Sequence, residues 1–203
     1  MGVSLPAVLA RVSELSLLIA PPNPAATTPA QSATSFQGML QGAGLATATS
    51  ALALPPGSGG RGALLAAVQA EVGQAEAPPG SNESPRIAQY RQATAGAPGP
   101  GPWCAYFVSW AAKQAGMPIG DSGQGFGAVD SVQAWAERTG RFVPTGTGTP
   151  RPGDLVVWDQ HIGVVESVAA DGSIHTIEGN SSDRVSRRTH GAGSALGFVR
   201  MGP

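Results

Sequence analysis

The chain has one cysteine, Cys104, and three histidines, His161, His175 and His190. A thiol paired with an imidazole is the minimal set for nucleophilic attack on an acyl carbon. A free cysteine is equally at home in an apolar core, so residue type alone decides nothing. Its position says more. In "GPGPWCAYFVSWAAKQAGMP" the cysteine stands where a helix is predicted to begin, after a stiff Pro100-Gly101-Pro102 approach. Unpaired N–H groups and the positive end of the helix dipole stabilise a thiolate there. The same N–H groups can hold the oxyanion that forms when the thiolate attacks. A single cysteine also excludes an internal disulfide and a zinc site built from several thiolates.

The alternation of strand side chains selects the base. "HIGVVESV" and "SIHTIEGN" read as two strands around "AADG". A four-residue loop sets Val168 opposite Ser173 and His161 opposite Asn180, and a two-residue loop at Asp171-Gly172 keeps the same face. A three-residue loop would break the arrangement. In the even registers His161, Glu178 and Asn180 share one side and His175 points to the other. His190 falls in a Gly- and Arg-rich segment read as a loop, without a comparable carboxylate on a strand. His161 is therefore the expected base. Either Glu178 or Asn180 would accept its second ring N–H and fix its tautomer. Trp103 and Trp158, next to the proposed catalytic segments, are expected to wall a substrate groove. Asn82, in a polar loop upstream, is a candidate second oxyanion donor. His161, Glu178 and Asp159 would be the set available to a metal, but that reading leaves the helix-start cysteine without a task, so no metal and no cofactor are expected.

Helices must come first to position these groups. "ALLAAVQAEVGQAE" places Leu64, Leu65, Val68 and Val72 on one face. "SPRIAQYRQA" has Ser84 as N-cap and Pro85 at the first helical position. The cysteine helix carries Cys104, Phe107, Val108, Ala111 and Ala115 on a stripe and stops at Gly116 and Pro118. "DSVQAWAERTG" follows, with Asp130 as the expected N-cap. After Phe142 the period becomes strand-like: "GDLVVWD", the two hairpin strands, then "ALGFVRM". The segment "DRVSRR", with Arg184, Arg187 and Arg188, is read as a solvated loop. Helices followed by antiparallel strands make an α+β domain over residues 62–203.

The remainder is compositionally different. Residues 1–20 read as an amphipathic helix, with Leu5, Val8, Leu9, Val12, Leu15 and Ile19 at three- and four-residue steps, ended by Pro21 and Pro22. Residues 21–61 are poor in large apolar side chains and read as a mostly disordered linker, with a weak apolar patch at Phe36, Met39 and Leu40. A net charge of −1 offers no basic excess for nucleic acid. No stretch is apolar for long enough to span a bilayer.

The segments "PWCAYFVSWAAKQAGMP", "PGDLVVWDQHIGVVESV" and "IHTIEGNSSDRVSRR" together resemble the landmarks of a CHAP domain, the cysteine- and histidine-dependent amidohydrolase/peptidase family. The resemblance covers about residues 62–203. It implies a papain-like fold and cleavage of amide bonds in the peptide part of bacterial peptidoglycan. By position Cys104 matches the nucleophile, His161 the base, Glu178 the orienting carboxylate and Asn180 the polar residue beside it. Gln160 stands where many relatives have glycine, and no wall-binding module is recognisable. A competing reading is an exported, non-catalytic interaction or structural protein on the same scaffold, acting through its N-terminal arm.

Action on the wall requires export, and residues 1–20 make a poor secretory signal, since no basic residue precedes the apolar run and Arg11 and Glu14 interrupt it. Residues 1–40 are the expected contact with a specialised, flagellar-type export apparatus. Deleting them is expected to abolish secretion into the medium; unchanged secretion of the truncated chain rules the idea out.

Overall fold

The computed structural model describes residues 59–97, 99–191 and 193–202. The readings of residues 1–58, including the N-terminal helix and most of the linker, lie outside the described residues. Four helices come first: α1 (Arg61–Ala70), α2 (Pro85–Gln92), α3 (Cys104–Gln114) and α4 (Val129–Arg138). Six strands follow: β1 (Phe142–Pro144), β2 (Leu155–Val157), β3 (Ile162–Val168), β4 (Ile174–Glu178), β5 (Ser186–His190) and β6 (Gly197–Val199). They form one antiparallel sheet in the order β1-β6-β2-β3-β4-β5. The fold is α+β.

Local chemistry explains the helix boundaries. Ser84 Oγ accepts the Ile87 N–H at 3.2 Å, with Pro85 in the first turn. α1 begins at Arg61, the last residue of the segment read as linker, and stops at Ala70, before the left-handed Gly73, so Val72 lies beyond its apolar face. α4 starts at Val129 with Ala128 as N-cap, which makes Asp130 a first-turn acid facing the positive end of the dipole and not the cap.

α3 is the central element. Every residue from Cys104 to Ala112 is buried, so the apolar surface is a sleeve and not the single stripe that periodicity suggests. Leu155, Val157, Ile162, Val164, Ile177 and Val199 of the sheet join α3 in the main core. Val156, Val165, Ile174 and Phe198 form a smaller cluster with Ala195, against which Trp158 packs. Strand alternation divides the two sets.

The hairpin register differs from the expected one near its tip. Val168 pairs with Ile174, not with Ser173, and the loop between them has the odd length that reverses the face. A bulge between Val165 and Ser167, at Glu166, removes the offset, and Val164 pairs with Ile177. The even register is thus recovered before the strands reach His161 and Glu178. β5 is the second correction: residues 186–190 are a strand, not a loop. Its sequence, Ser-Arg-Arg-Thr-His, carries the polar and charged side chains typical of a sheet edge and no apolar alternation.

Where β4 ends, α3 and the sheet touch at a glycine. A Cβ on Gly179 would lie 2.7 Å from Phe107 Cβ and Cγ and 2.8 Å from Trp103 Cζ3. Gly179→Ala is expected to push the cysteine helix off the strand end and destabilise the fold by about 1–3 kcal/mol. Urea unfolding followed by tryptophan fluorescence checks this.

Candidate active site

Cys104 is the first residue of α3. Trp103, its N-cap, provides no side-chain cap, and its carbonyl takes the Phe107 N–H at 2.9 Å. The N–H groups at the head of the helix therefore have no capping side chain competing for them. His161 immediately precedes β3, and its carbonyl accepts the Trp158 N–H at 2.8 Å. Glu178 is the last residue of β4 and is 2% exposed.

His161 Nε2 lies 2.9 Å from Glu178 Oε2, and the same ring is close enough to Cys104 for the sulfur to act on its pKa. With Nε2 engaged by the carboxylate, Nδ1 is the nitrogen left for sulfur. Burial pushes the His161 pKa down, but the interactions with Cys104 and Glu178 outweigh it and raise the pKa to about 9. Burial pushes Glu178 up, and the hydrogen bonds from His161, Thr176 and His190 more than reverse this, holding it at about 2. Glu178 is thus an anion at neutral pH and accepts Nε2–H, which sets the tautomer of His161. Gly163 makes room for it: a Cβ there would lie 2.7 Å from Glu178 Cγ.

The structure brings Cys104, His161 and Glu178 together. The choice between Glu178 and Asn180 as the acceptor falls to Glu178. Asn180 has a left-handed φ of 58°, turns the chain out of β4, and makes no hydrogen bond to His161 among the described residues. Trp158 lies beside the site, 5.8 Å from the His161 ring and 4.5 Å from that of His190.

Trp103 does not wall a groove. It is fully buried, its Nε1–H donates to Glu76 Oε1 at 2.9 Å, and its ring stacks on Tyr90 at 5.8 Å. The buried Glu76 also accepts the Asn82 backbone N–H on Oε2 at 2.8 Å. The Asn82 N–H is thereby used, leaving its side chain as the only donor it could offer. His161, Glu178 and Asp159 do not make a metal cluster, nor do any three His, Cys, Asp or Glu side chains among the described residues.

His190 is the residue that sequence reasoning set aside. It ends β5, and its Nε2 is 2.6 Å from Glu178 Oε1. The carboxylate it was thought to lack belongs to the neighbouring strand. His175 is directed away, with Nδ1 3.0 Å from Thr189 Oγ1.

Residues 96–180 match the family model described as the CHAP domain. The chain carries a CHAP domain. The matched segment begins before the cysteine helix and ends just after Glu178, so it contains Cys104, His161 and Glu178 and leaves His190 outside. CHAP domains are papain-like and in general cysteine- and histidine-dependent amidohydrolases, a family of peptidoglycan-hydrolase type. Neither a curated protein nor a solved structure gave a match to the chain. No helix among the described residues is long and apolar enough to cross a membrane.

The two pKa shifts of this CHAP domain have opposite signs in stability. The His161 pKa is raised above its ordinary 6.5, so its contribution is complete below 6.5 and lost as pH rises through about 9. That of Glu178 is depressed from 4.5, so its contribution is complete above 4.5 and lost as pH falls through about 2. The stability difference between wild type and His161→Gln is expected to be greatest between pH 4.5 and 6.5 and to shrink on either side. Urea midpoints across pH measure it.

Proposed function

We propose that the protein hydrolyses amide bonds in the peptide moiety of bacterial peptidoglycan, as an N-acetylmuramoyl-L-alanine amidase or an endopeptidase. The observation that carries this reading is the Cys104–His161–Glu178 line at the head of a helix without a side-chain cap, within a CHAP domain. His161 takes the thiol proton, and Cys104 Sγ attacks the carbonyl carbon. The Cys104 backbone N–H supports the negative oxygen that results. His161 then gives its proton to the departing amine, the C–N bond breaks, and a thioester joins the acyl group to Cys104. Water attacks the thioester, His161 accepts its proton, and the carboxylic acid product leaves as the thiol is restored. Glu178 stays ionised throughout and stabilises the imidazolium.

The half-buried Trp158 beside both histidines is the side chain best placed to contact bound substrate. The substrate puts the site of action at the cell wall, outside the cytoplasm.

Purified full-length protein should clear peptidoglycan, Cys104→Ala should not, and Glu178→Gln should lower kcat about 100-fold or more through loss of the imidazole's partner. Equal clearing by wild type and Cys104→Ala, or none by wild type across pH and reductant, overturns the proposal. Mass spectrometry of the fragments separates the amidase, which frees whole stem peptides from the sugar, from the endopeptidase.

A further inference from the structure

Both oxygens of Glu178 are held, by groups from three adjacent strands. Oε2 takes His161 from the start of β3 at 2.9 Å. Oε1 takes Thr176 Oγ1 from β4 itself at 2.5 Å and His190 Nε2 from the end of β5 at 2.6 Å. A carboxylate turns easily about its last side-chain bond, whose torsional preference is broad. Gripped at one oxygen, it swings the other out of line with its partner. Thr176, two residues away on the same strand, fixes Oε1 only relative to β4. His190 fixes it relative to the opposite neighbouring strand, so the two imidazoles clamp the carboxylate from either side.

The surroundings favour this assignment. Glu178 is the carboxylate that His190 hydrogen-bonds, and Trp158 packs against both imidazoles. Arg188, on the same strand as His190, is turned to Ser181 Oγ at 2.9 Å and Ser182 Oγ at 2.7 Å and leaves Glu178 to the histidines. His175 is engaged by Thr189.

We propose that His190 is a positioning residue: by clamping the second oxygen of Glu178 it fixes the orientation of His161 toward Cys104, without touching the reacting atoms. The kinetic part of this inference rests on the hydrolase reading above; the thiol measurement below does not.

Cys104 is the only thiol in the full chain, so its alkylation by iodoacetamide reports the site without any substrate. His190→Ala is expected to shift the pH midpoint of alkylation. It is expected to lower kcat on peptidoglycan about tenfold or more, the loss of a hydrogen bond to a charged group, with KM altered less than about twofold. His190→Gln, whose amide can still donate to Oε1, should recover most of the loss. Coincident alkylation profiles and kcat for wild type and His190→Ala overturn the proposal. So does an equal loss in both variants accompanied by a lowered Tm, which marks a structural role only. If the wild type leaves peptidoglycan intact, the alkylation profiles decide alone: a shift in His190→Ala that His190→Gln reverses supports the clamp, and coincidence overturns it.

Discussion

The buried carboxylate of Glu178 is the fixed point of the site. An anion with 2% exposure is tolerated only when its oxygens are paired, because desolvating an isolated charge costs far more than one domain's stability can offset. Three donors, from β3, β4 and β5, meet that demand. The requirement runs outward from there. The three strands must keep register so that the donors converge, Gly163 must lack a side chain so that Glu178 fits, and Gly179 must lack one so that α3 reaches the strand end. The same close approach that seals the core brings the start of α3, with Cys104, to the strand end that carries Glu178.

Register is where this architecture is most exposed to error, since a slip of one residue turns every side chain to the other face. The odd-length loop of the β3–β4 hairpin would by itself do that. The bulge at Glu166 compensates, and Glu166 is in turn held by Gln69 at 2.9 Å and by Arg187 at 2.9 Å. The register at the tip of the hairpin is thus decoupled from that at its His161–Glu178 end.

Much of this was legible in the residues. The proline- and glycine-bounded start of α3 announces Cys104, and strand parity places His161 and Glu178 on one face whichever even loop is chosen. The right face was reached through the wrong loop, because a bulge leaves no mark in a pattern of Val and Glu. His190 was missed because β5 has no apolar alternation and because its partner lies in another strand. Trp103 was misread for the same kind of reason. Adjacency to a nucleophile suggested a groove wall, while the carboxylate that satisfies its indole N–H inside the core, Glu76, is distant in sequence. Long-range polar pairing is the part that periodicity does not encode.

Glu76 also ties three stretches of chain into one block: its own loop, the Asn82 turn and the residue that precedes Cys104. Trp103, buried within that block, adds its ring to Tyr90 and Phe107. The Cys104 side of the proposed site is therefore anchored in the core. On the opposite side the two part-exposed histidines are tied to Glu178, while the indole N–H of Trp158 reaches only Ser194, at 3.4 Å. In the hydrolase proposed above, such a site works like a vice with one fixed jaw: differences among substrates fall to Trp158, while the geometry at sulfur and imidazole is kept.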